Sequence, residues 1–324
     1  TNVSLGDVLL TIVGTIGRSL VVNETHPKFT LQRSVAVLKP NFELISPFYL
    51  TRVIQSELFR DLLNSRAKGV AQQGIYLKEL GSLQIPLPPL SVQQEIVAEI
   101  EGYQKIIDGA KMVVENYKPK IDIDPEWDMV EFADAPFEII DGDRGTNYPN
   151  GNDFSAEGYC LFLNTKNVRD NGFRFDDMMF ISKEKDELLR KGKLQREDVL
   201  LTTRGTIGNT AYYNTSVPYD NIRINSGMLI FRPNNKELLS EYLYYFFQSE
   251  NCESQFKRIV SGAAQPQLPI RSLKSAIIPL PSIEIQNQIV AQIVTELTLV
   301  NTNKQLIEIF DQKIKDRIAK VWGE

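Results

Sequence analysis

Ile85-Pro86-Leu87-Pro88-Pro89-Leu90-Ser91-Val92-Gln93-Gln94-Glu95-Ile96-Val97-Ala98-Glu99-Ile100 decides the fold, because it occurs twice. Residues 278–293 read Ile278-Pro279-Leu280-Pro281-Ser282-Ile283-Glu284-Ile285-Gln286-Asn287-Gln288-Ile289-Val290-Ala291-Gln292-Ile293. The offset is 193 residues (Gln93 to Gln286), and it holds without a gap from Phe48-Tyr49-Leu50 against Glu241-Tyr242-Leu243 onward. A duplication of this length means two copies of one unit, each a globular part followed by a helix.

Two prolines two apart fix φ and remove donors, so Ile-Pro-Leu-Pro is an extended, edge-like segment. A helix is expected from Ser91, with Gln94 completing a capping box. Apolar residues follow at Ile96, Ile100, Tyr103, Ile107, Ala110, Val114 and Tyr117, alternating four and three as in a coiled-coil seam. The second copy keeps the phase at Ile289, Ile293, Val300, Ile307, Phe310 and Ile314, with Glu296 and Asn303 as polar seam positions. Two matching heptad helices in one chain pack most simply on each other. The alternative is that each packs on its own globular part.

At 324 residues the chain is long enough for two domains with separate cores. Its two cysteines, Cys160 and Cys252, lack the spacing of a disulfide framework or a zinc site. No apolar run reaches the roughly 18 residues of a membrane helix, and Val8–Ile16 has no basic region before it, so no membrane association is expected and the expected compartment is cytoplasm. Net charge is −5, so any DNA contact must come from local clusters or from a basic partner. Residues 1–90 carry 9 basic against 6 acidic residues.

Val8-Leu9-Leu10-Thr11, Gly14-Thr15-Ile16-Gly17 and Ser19-Leu20-Val21-Val22 read as strand, turn and strand. The second copy repeats them at Val199–Thr202, Gly205–Gly208 and Ala211–Tyr213. Arg204 stands before the second turn and Arg18 after the first. Gly-x-x-Gly is a weak phosphate signal and more often only a turn. Apolar strands follow at 34–38 and 226–231, then amphipathic helices at about 47–64 and 237–257. The aromatic residues of the latter, Tyr242 to Phe247, are expected in the core. Lys68–Gly74 and Ser261–Gln267 are polar loops in both copies, and Gln72 and Gln265 there have the amides that pair with adenine edges.

Tyr117–Pro125 is a proline-bounded linker. About 70 residues after it, Pro125–Leu194, have no counterpart in the first unit. Trp127-Asp128-Met129-Val130 reads as a strand. Ile140–Gly151 is a Gly- and Asn-rich loop carrying Arg144, Asn147 and Tyr148. Leu161–Leu163 reads as a strand entering a basic loop with Asn164, Lys166, Asn167 and Arg169. Such side chains suit base edges and phosphates. Arg190–Arg196 is a basic run, solvated in the simplest reading and a phosphate contact in the other.

What is absent narrows the class. The lone histidine, His26, cannot build a paired-histidine metal site or a Ser-His-Asp triad. No Gly-x-x-x-x-Gly-Lys-Ser/Thr loop and no Asn/Asp-Pro-Pro-Tyr/Phe stretch occurs, so neither ATP hydrolysis nor adenine methylation is supported. No cofactor and no catalytic residue is expected, and the chain reads as a recognition module.

A unit ending in Ile-Pro-Leu-Pro-x-x-x-x-Gln-x-x-Ile-Val, followed by a coiled-coil helix and then repeated, resembles the specificity (S) subunit of type I restriction–modification systems. Gly6–Thr11 with Gly14–Gly17, and Asp198–Thr202 with Gly205–Gly208, are similar to that family's target-recognition domains. The resemblance covers essentially the whole chain. It implies an α+β protein with two target-recognition domains, each a mixed β-sheet with helices, separated by two long helices in an antiparallel coiled coil. The expected divisions are 1–90, the first recognition domain; 91–118, the first helix; 119–125, the linker; 126–281, the second recognition domain; and 282–322, the second helix. A helix over 91–118 spans about 40 Å, close to one turn of DNA.

The resemblance further implies a bipartite site on double-stranded DNA, methyltransferase (M) subunits held on the helices, and motor–nuclease (R) subunits in the full complex. Methyl transfer would occur in those partners, on a flipped adenine. The missing counterpart of 126–194 reads as a first recognition domain shortened at its N-terminus, and the linker and tail resemble the C-terminal part of a fused methyltransferase–specificity polypeptide. Self-association through the coiled coil is a further expectation. Base-reading residues do not carry over within the family. The chemistry favours Arg144, Asn147, Tyr148, Asn164, Lys166, Asn167, Arg169 and Arg204 in the second domain, Arg18 and Arg33 in the first, and Gln72 and Gln265 in the repeated loops. The competing reading is a non-catalytic coiled-coil scaffold or inhibitor that binds the methyltransferase without reading DNA.

Overall fold

The short apolar run Val8-Leu9-Leu10, buried on both faces, makes a strand, β1 (Val8–Thr11), whose neighbours are β2 (Ser19–Val21) and β3 (Val35–Leu38). The structure is a computed structural model that describes residues 2–24, 29–67, 74–169, 172–262 and 266–323. It divides into two units, Thr1–Asn116 with Val300–Glu324, and Tyr117–Leu299. Among the described residues no helix is long and apolar enough to cross a membrane.

In the first unit β1 is the centre of an antiparallel sheet ordered β2-β1-β3. Helices α1 (Pro47–Gln55), α2 (Glu57–Arg66) and α3 (Leu77–Leu80) follow, then α4 (Leu90–Asn116). The expected single helix over 47–64 is two helices. Ser56 adopts an extended φ/ψ and its hydroxyl accepts from the Phe59 N–H, so it stops α1 and caps α2. The chain enters α4 at Leu90, one residue before the expected Ser91 cap.

The second unit contains β4 (Asp128–Glu131), β5 (Phe137–Asp141), β6 (Cys160–Leu163), β7 (Val168–Arg169), β8 (Gly172–Phe173), β9 (Phe180–Ile181), α5 (Lys183–Leu188), β10 (Val199–Thr202), β11 (Thr210–Tyr212), β12 (Ile222–Ile224), β13 (Met228–Pro233), α6 (Ser240–Gln248), α7 (Glu250–Ile259), α8 (Ile270–Leu273) and β14 (Ile277–Leu280). Its main sheet runs β11-β10-β13-β5, and a second sheet runs β12-β6-β9 with β12 and β6 parallel. Ser249 splits α6 from α7 as Ser56 splits α1 from α2, correcting the single helix expected over 237–257. Tyr242, Phe246 and Phe247 are buried in a core with Phe132, Phe231 and Phe256.

The proline of β14, Pro279, sits where a missing donor is tolerated, on a two-stranded ladder in which Ile278 faces Val130 and Pro279 faces Met129. The same residues of the first unit, Gln84–Leu87, are extended but have no partner strand among the described residues. Leu87 is exposed there.

The helix α9 (Ile283–Trp322) begins in the second unit and ends in the first. Within the first unit its last turns run antiparallel to α4: Arg317 pairs with Glu99 at 2.6 Å, and the Phe310 and Tyr103 rings lie 5.3 Å apart. Ile96 and Ile100 of α4 join Ile318, Ile314 and Trp322 in one core. Within the second unit its first turns bury Val290 and Ile293 beside Ile121, and Glu296 accepts a 2.9 Å hydrogen bond from the Tyr117 hydroxyl. The fold is α+β, with two sheet-and-helix units joined by long helices.

The repeat is carried by buried polar locks. Gln93 is fully buried; its Oε1 accepts from the Ser46 N–H (2.8 Å), and its Nε2 donates to the Leu44 and Pro88 carbonyls. Gln286 makes the same three bonds to Leu239, Glu237 and Pro281. Tyr49 donates to the Pro86 carbonyl and Tyr242 to that of Pro279. The glutamine of the repeated stretch thus pins the start of each long helix to the loop that leads into α1 in the first unit and into α6 in the second.

Candidate nucleic-acid interface

Between the apolar strands β12 and β13 lies Asn225-Ser226-Gly227, a turn by composition. Asn225 Oδ1 accepts from the Gly227 N–H at 2.9 Å. The Asn225 N–H bonds the Leu163 carbonyl at the end of β6, and the Gly227 carbonyl accepts from the Thr203 and Arg204 N–H groups past β10. Gly142 passes so close that a Cβ there would fall 2.4 Å from the Asn225 carbonyl oxygen. A Cβ on Gly227 would lie 2.8 Å from the Thr165 methyl. Three polar loops therefore meet at one turn, each bringing a cation.

Those cations are Arg144, Lys166 and Arg204, all exposed. Arg144 is oriented by Asp141 at 3.0 Å. Lys166 stands 3.9 Å from Asp177, both about 73% exposed, so the pair is weak and breakable. Arg204 forms a backbone bridge to Gln267, matched by Val13 and Gly74 in the first unit.

The other candidates of the second unit divide by role. Asn164 and Asn167 form a reciprocal cap on the short 3-10 turn Thr165–Asn167. Asn167 is buried, its Oδ1 accepting from the Asn164 N–H and its Nδ2 donating to the Arg174 and Asp177 carbonyls. It shapes the loop that presents Lys166 and has no surface of its own. Arg169 lines a cleft of about 470 Å³ with Lys166 and Arg174, and its Nη1 is buried without a hydrogen-bond partner among the described residues. Asn147 is exposed and faces the Leu188 carbonyl at 3.4 Å. The Tyr148 ring stands edge-on to Phe162 at 5.8 Å, partly buried in a small core with Cys160 and Leu189. These two lie outside the meeting of loops at Asn225–Gly227.

The base of the 142–150 loop is fixed by Asp143. Burial works against its charge, but N–H bonds from Gly145, Arg190 and Lys191 hold its carboxyl below the usual carboxylate range. The basic run 190–196 is largely spent inside the fold. Lys193 pairs with Asp186, and Arg196 donates to the Asn214 and Val217 carbonyls while lying 4.2 Å over the Tyr213 ring. This disposes of the phosphate reading for those two side chains.

In the first unit Arg18 is exposed beside the Gly14–Gly17 turn. Arg33 is exposed at the entry to β3, along a groove lined by Val35 and Val37. Gln72, Gln265 and His26 lie outside the described residues. Each Gly-x-x-Gly serves its turn: Gly14, Gly17, Gly205 and Gly208 all have φ between 71° and 93°. The threonine before each turn donates across it, the half-buried Thr11 to the Thr15 carbonyl and the buried Thr202 to that of Thr206. Asn225–Gly227 was missed as a site feature, although a polar turn between two apolar runs is visible in the sequence.

The family described as "Type I restriction modification DNA specificity domain" matches residues 1–115 and 126–309. The chain is 33% identical over 116 residues to the type I restriction enzyme EcoBI specificity subunit of Escherichia coli, covering 36% of this chain and 24% of that one. It is 27% identical over 184 residues to the HindI specificity subunit of Haemophilus influenzae (56% and 39%), and 22% identical over 310 residues to the EcoKI specificity subunit of E. coli (85% and 64%). The chain thus spans less than two thirds of the length of these curated relatives. A chain from a solved structure on complex assembly and conformational transition of the type I R-M system superposes with a TM-score of 0.66 at 20% identity, covering 98% of this chain and 81% of that one. The HsdS subunit from Thermoanaerobacter tengcongensis gives 0.51 at 20% identity over the same shares. With both units matched and the fold shared, the chain belongs to the type I restriction–modification DNA specificity family.

Proposed function

We propose that this chain is the non-catalytic subunit that reads a bipartite site on double-stranded DNA for a type I restriction–modification complex. Its recognition domains are residues 1–90 and 126–281. Its long helices, α4 and α9, carry methyltransferase subunits, and motor–nuclease subunits join in the full complex. Membership of the specificity family across both units carries this reading. The convergence of Arg144, Lys166 and Arg204 on the Asn225–Gly227 turn supplies the face of the second domain that meets DNA. Arg144, already aligned by Asp141, is placed to pair with a base edge, and Lys166 and Arg204 with phosphates. Arg169, Asn147 and Asn164 are flanking contacts. Arg33 serves the first domain.

The test is to map methylated adenines in cells holding the cognate methyltransferase, with and without this chain. A two-part motif that vanishes with the chain supports the reading. Unchanged methylation despite a stable complex with the methyltransferase would replace it with a scaffold.

Single substitutions separate the roles. Arg144→Ala is expected to cost about 1–3 kcal/mol on the preferred site and to relax one base position. Lys166→Ala should weaken all sequences alike and reduce the salt slope of binding by about 1. Titration of a preferred and a scrambled duplex at several salt concentrations reads both effects. Equal losses on both duplexes for Arg144→Ala would remove it from the base-reading set.

A further inference from the structure

The two units carry a cleft at the same place in the repeat, and its walls differ in charge and in apolar lining, Phe247, Phe256 and Val260 facing only the second. In the second unit it lies between the Gly205–Gly208 turn and the break from α6 to α7, with Ile207, Gly208, Asn209, Gln248 and Glu253 in its wall and a volume of about 430 Å³. In the first unit the same place, about 610 Å³, is walled by Ile16, Gly17, Arg18, Gln55 and Arg60. Isoleucine, glycine and glutamine are kept. Asn209 is replaced by Arg18 and Glu253 by Arg60, so a wall holding the paired Glu253 and Lys257 becomes one holding two arginines.

The occupant of the second cleft is visible. Tyr117-Lys118-Pro119 lines it as an extended segment. Lys118 Nζ lies 3.0 Å from the Glu253 carboxylate. The Tyr117 hydroxyl is bonded to Glu296. In the first unit the residue in register with Tyr117 is Phe310, which is still helical and packs on Tyr103. No residue of α9 lines the first cleft. Glu57, one turn from Arg60, is taken by Lys315 at 2.7 Å. Arg60 lays its stem over the turn, its Cγ 3.3 Å from where a Gly17 Cβ would stand. Among the described residues neither Arg18 nor Arg60 makes a side-chain hydrogen bond or a close ion pair, although the Arg60 charge also acts on Glu57.

We propose that the cleft at Arg18 and Arg60 docks an extended acidic segment of a partner polypeptide, with an aromatic residue, an acid and a proline in the places that Tyr117, Lys118 and Pro119 hold in the other unit. A peptide is favoured over a DNA phosphate because a peptide fills the twin cleft, and the isoleucine, glycine and glutamine of its wall recur in the first. The proposal concerns a protein contact and stands apart from the reading of DNA.

The probe is a fluorescent peptide of residues 114–122 carrying Lys118→Glu, titrated into the full chain by anisotropy. It is expected to bind, and Arg18→Glu with Arg60→Glu should weaken it at least tenfold. The unsubstituted peptide should show the opposite order, binding the doubly reversed chain more tightly than the parent. An unchanged Trp322 fluorescence melt verifies that the first unit is folded in the variant, and Arg60→Gln supplies a milder step in the same direction. Absent binding, or binding blind to peptide charge, overturns the proposal. Loss of duplex-DNA affinity on charge reversal, with no peptide bound, also overturns it and gives the two arginines to phosphate.

Discussion

Gln286→Leu is expected to destabilise the second unit by about 3 kcal/mol, as one buried acceptor and two buried donors are lost and three backbone groups are left unpaired at about 1–3 kcal/mol each before water relieves them. The side chain is fully buried and makes its three bonds at 2.8–2.9 Å. Leucine matches its volume but none of its chemistry. Gln93→Leu should do the same to the first unit, because the bonding is the same.

The molecule supplies its own reporters. Trp127 packs on the core of the second unit and Trp322 on that of the first. With one tryptophan replaced by phenylalanine in turn, urea unfolding followed by fluorescence reports each unit separately, which matters because a chain with two cores need not unfold in one step. Gln286→Leu should move the Trp127 transition and leave that of Trp322 nearly in place. A shift under about 0.5 kcal/mol, the scale of an ordinary surface change, would show that the lock carries little.

The second large effect is expected at Arg223. Its Nε lies 2.5 Å from Asp186 Oδ1, and its other nitrogens donate to the Lys191, Asp186 and Leu189 carbonyls. Both side chains are buried. Arg223→Met removes one charge, leaves Asp186 with Lys193 alone and takes a donor from three carbonyls, of which that of Asp186 keeps the Leu189 N–H, at a cost of about 3–5 kcal/mol. Replacing both partners together should cost less than removing either one, since no charge is then stranded. A double cycle of urea midpoints through Trp127 reads this; additive losses would show that the pair is not coupled.

The pair also sets an acid limit. Burial disfavours the Asp186 carboxylate, yet Lys193 and Arg223 hold its carboxyl below the usual range. A group whose folded pKa is depressed gives stability that is present above its unfolded pKa, about 3.9, and is lost as pH falls through the folded value. The deficit of Asp186→Asn against the parent should therefore be full at neutral pH and shrink below about pH 4. A deficit constant down to pH 2 would place the contribution in packing instead.

Much of this was written in the chain itself. The 193-residue repeat, the seam through Ile96, Ile100, Ile293 and Val300, and the strand–turn–strand pieces around Gly14 and Gly205 follow from spacing and backbone limits, which act over a few residues. The sequence likewise marked the loops that hold Arg144, Lys166 and Arg204. It misjudged how far each helix runs, because Ser56 and Ser249 cap as readily as they sit on a helix face, and only the packing of Phe59 and Cys252 below them settles which.

Tertiary structure alone decided what the polar residues do. Gln93 and Gln286 look like helix-surface amides, and two of the three partners of each lie 47–49 residues away. Lys193, Arg196 and Arg223 look as free as Arg144 until the carbonyls and carboxylates that consume them come into place. Asn225–Gly227 becomes a meeting point only when loops distant in the chain close on it. Local pattern reports which residues share a face; whether a charge is spent or free depends on neighbours that only the folded chain brings near.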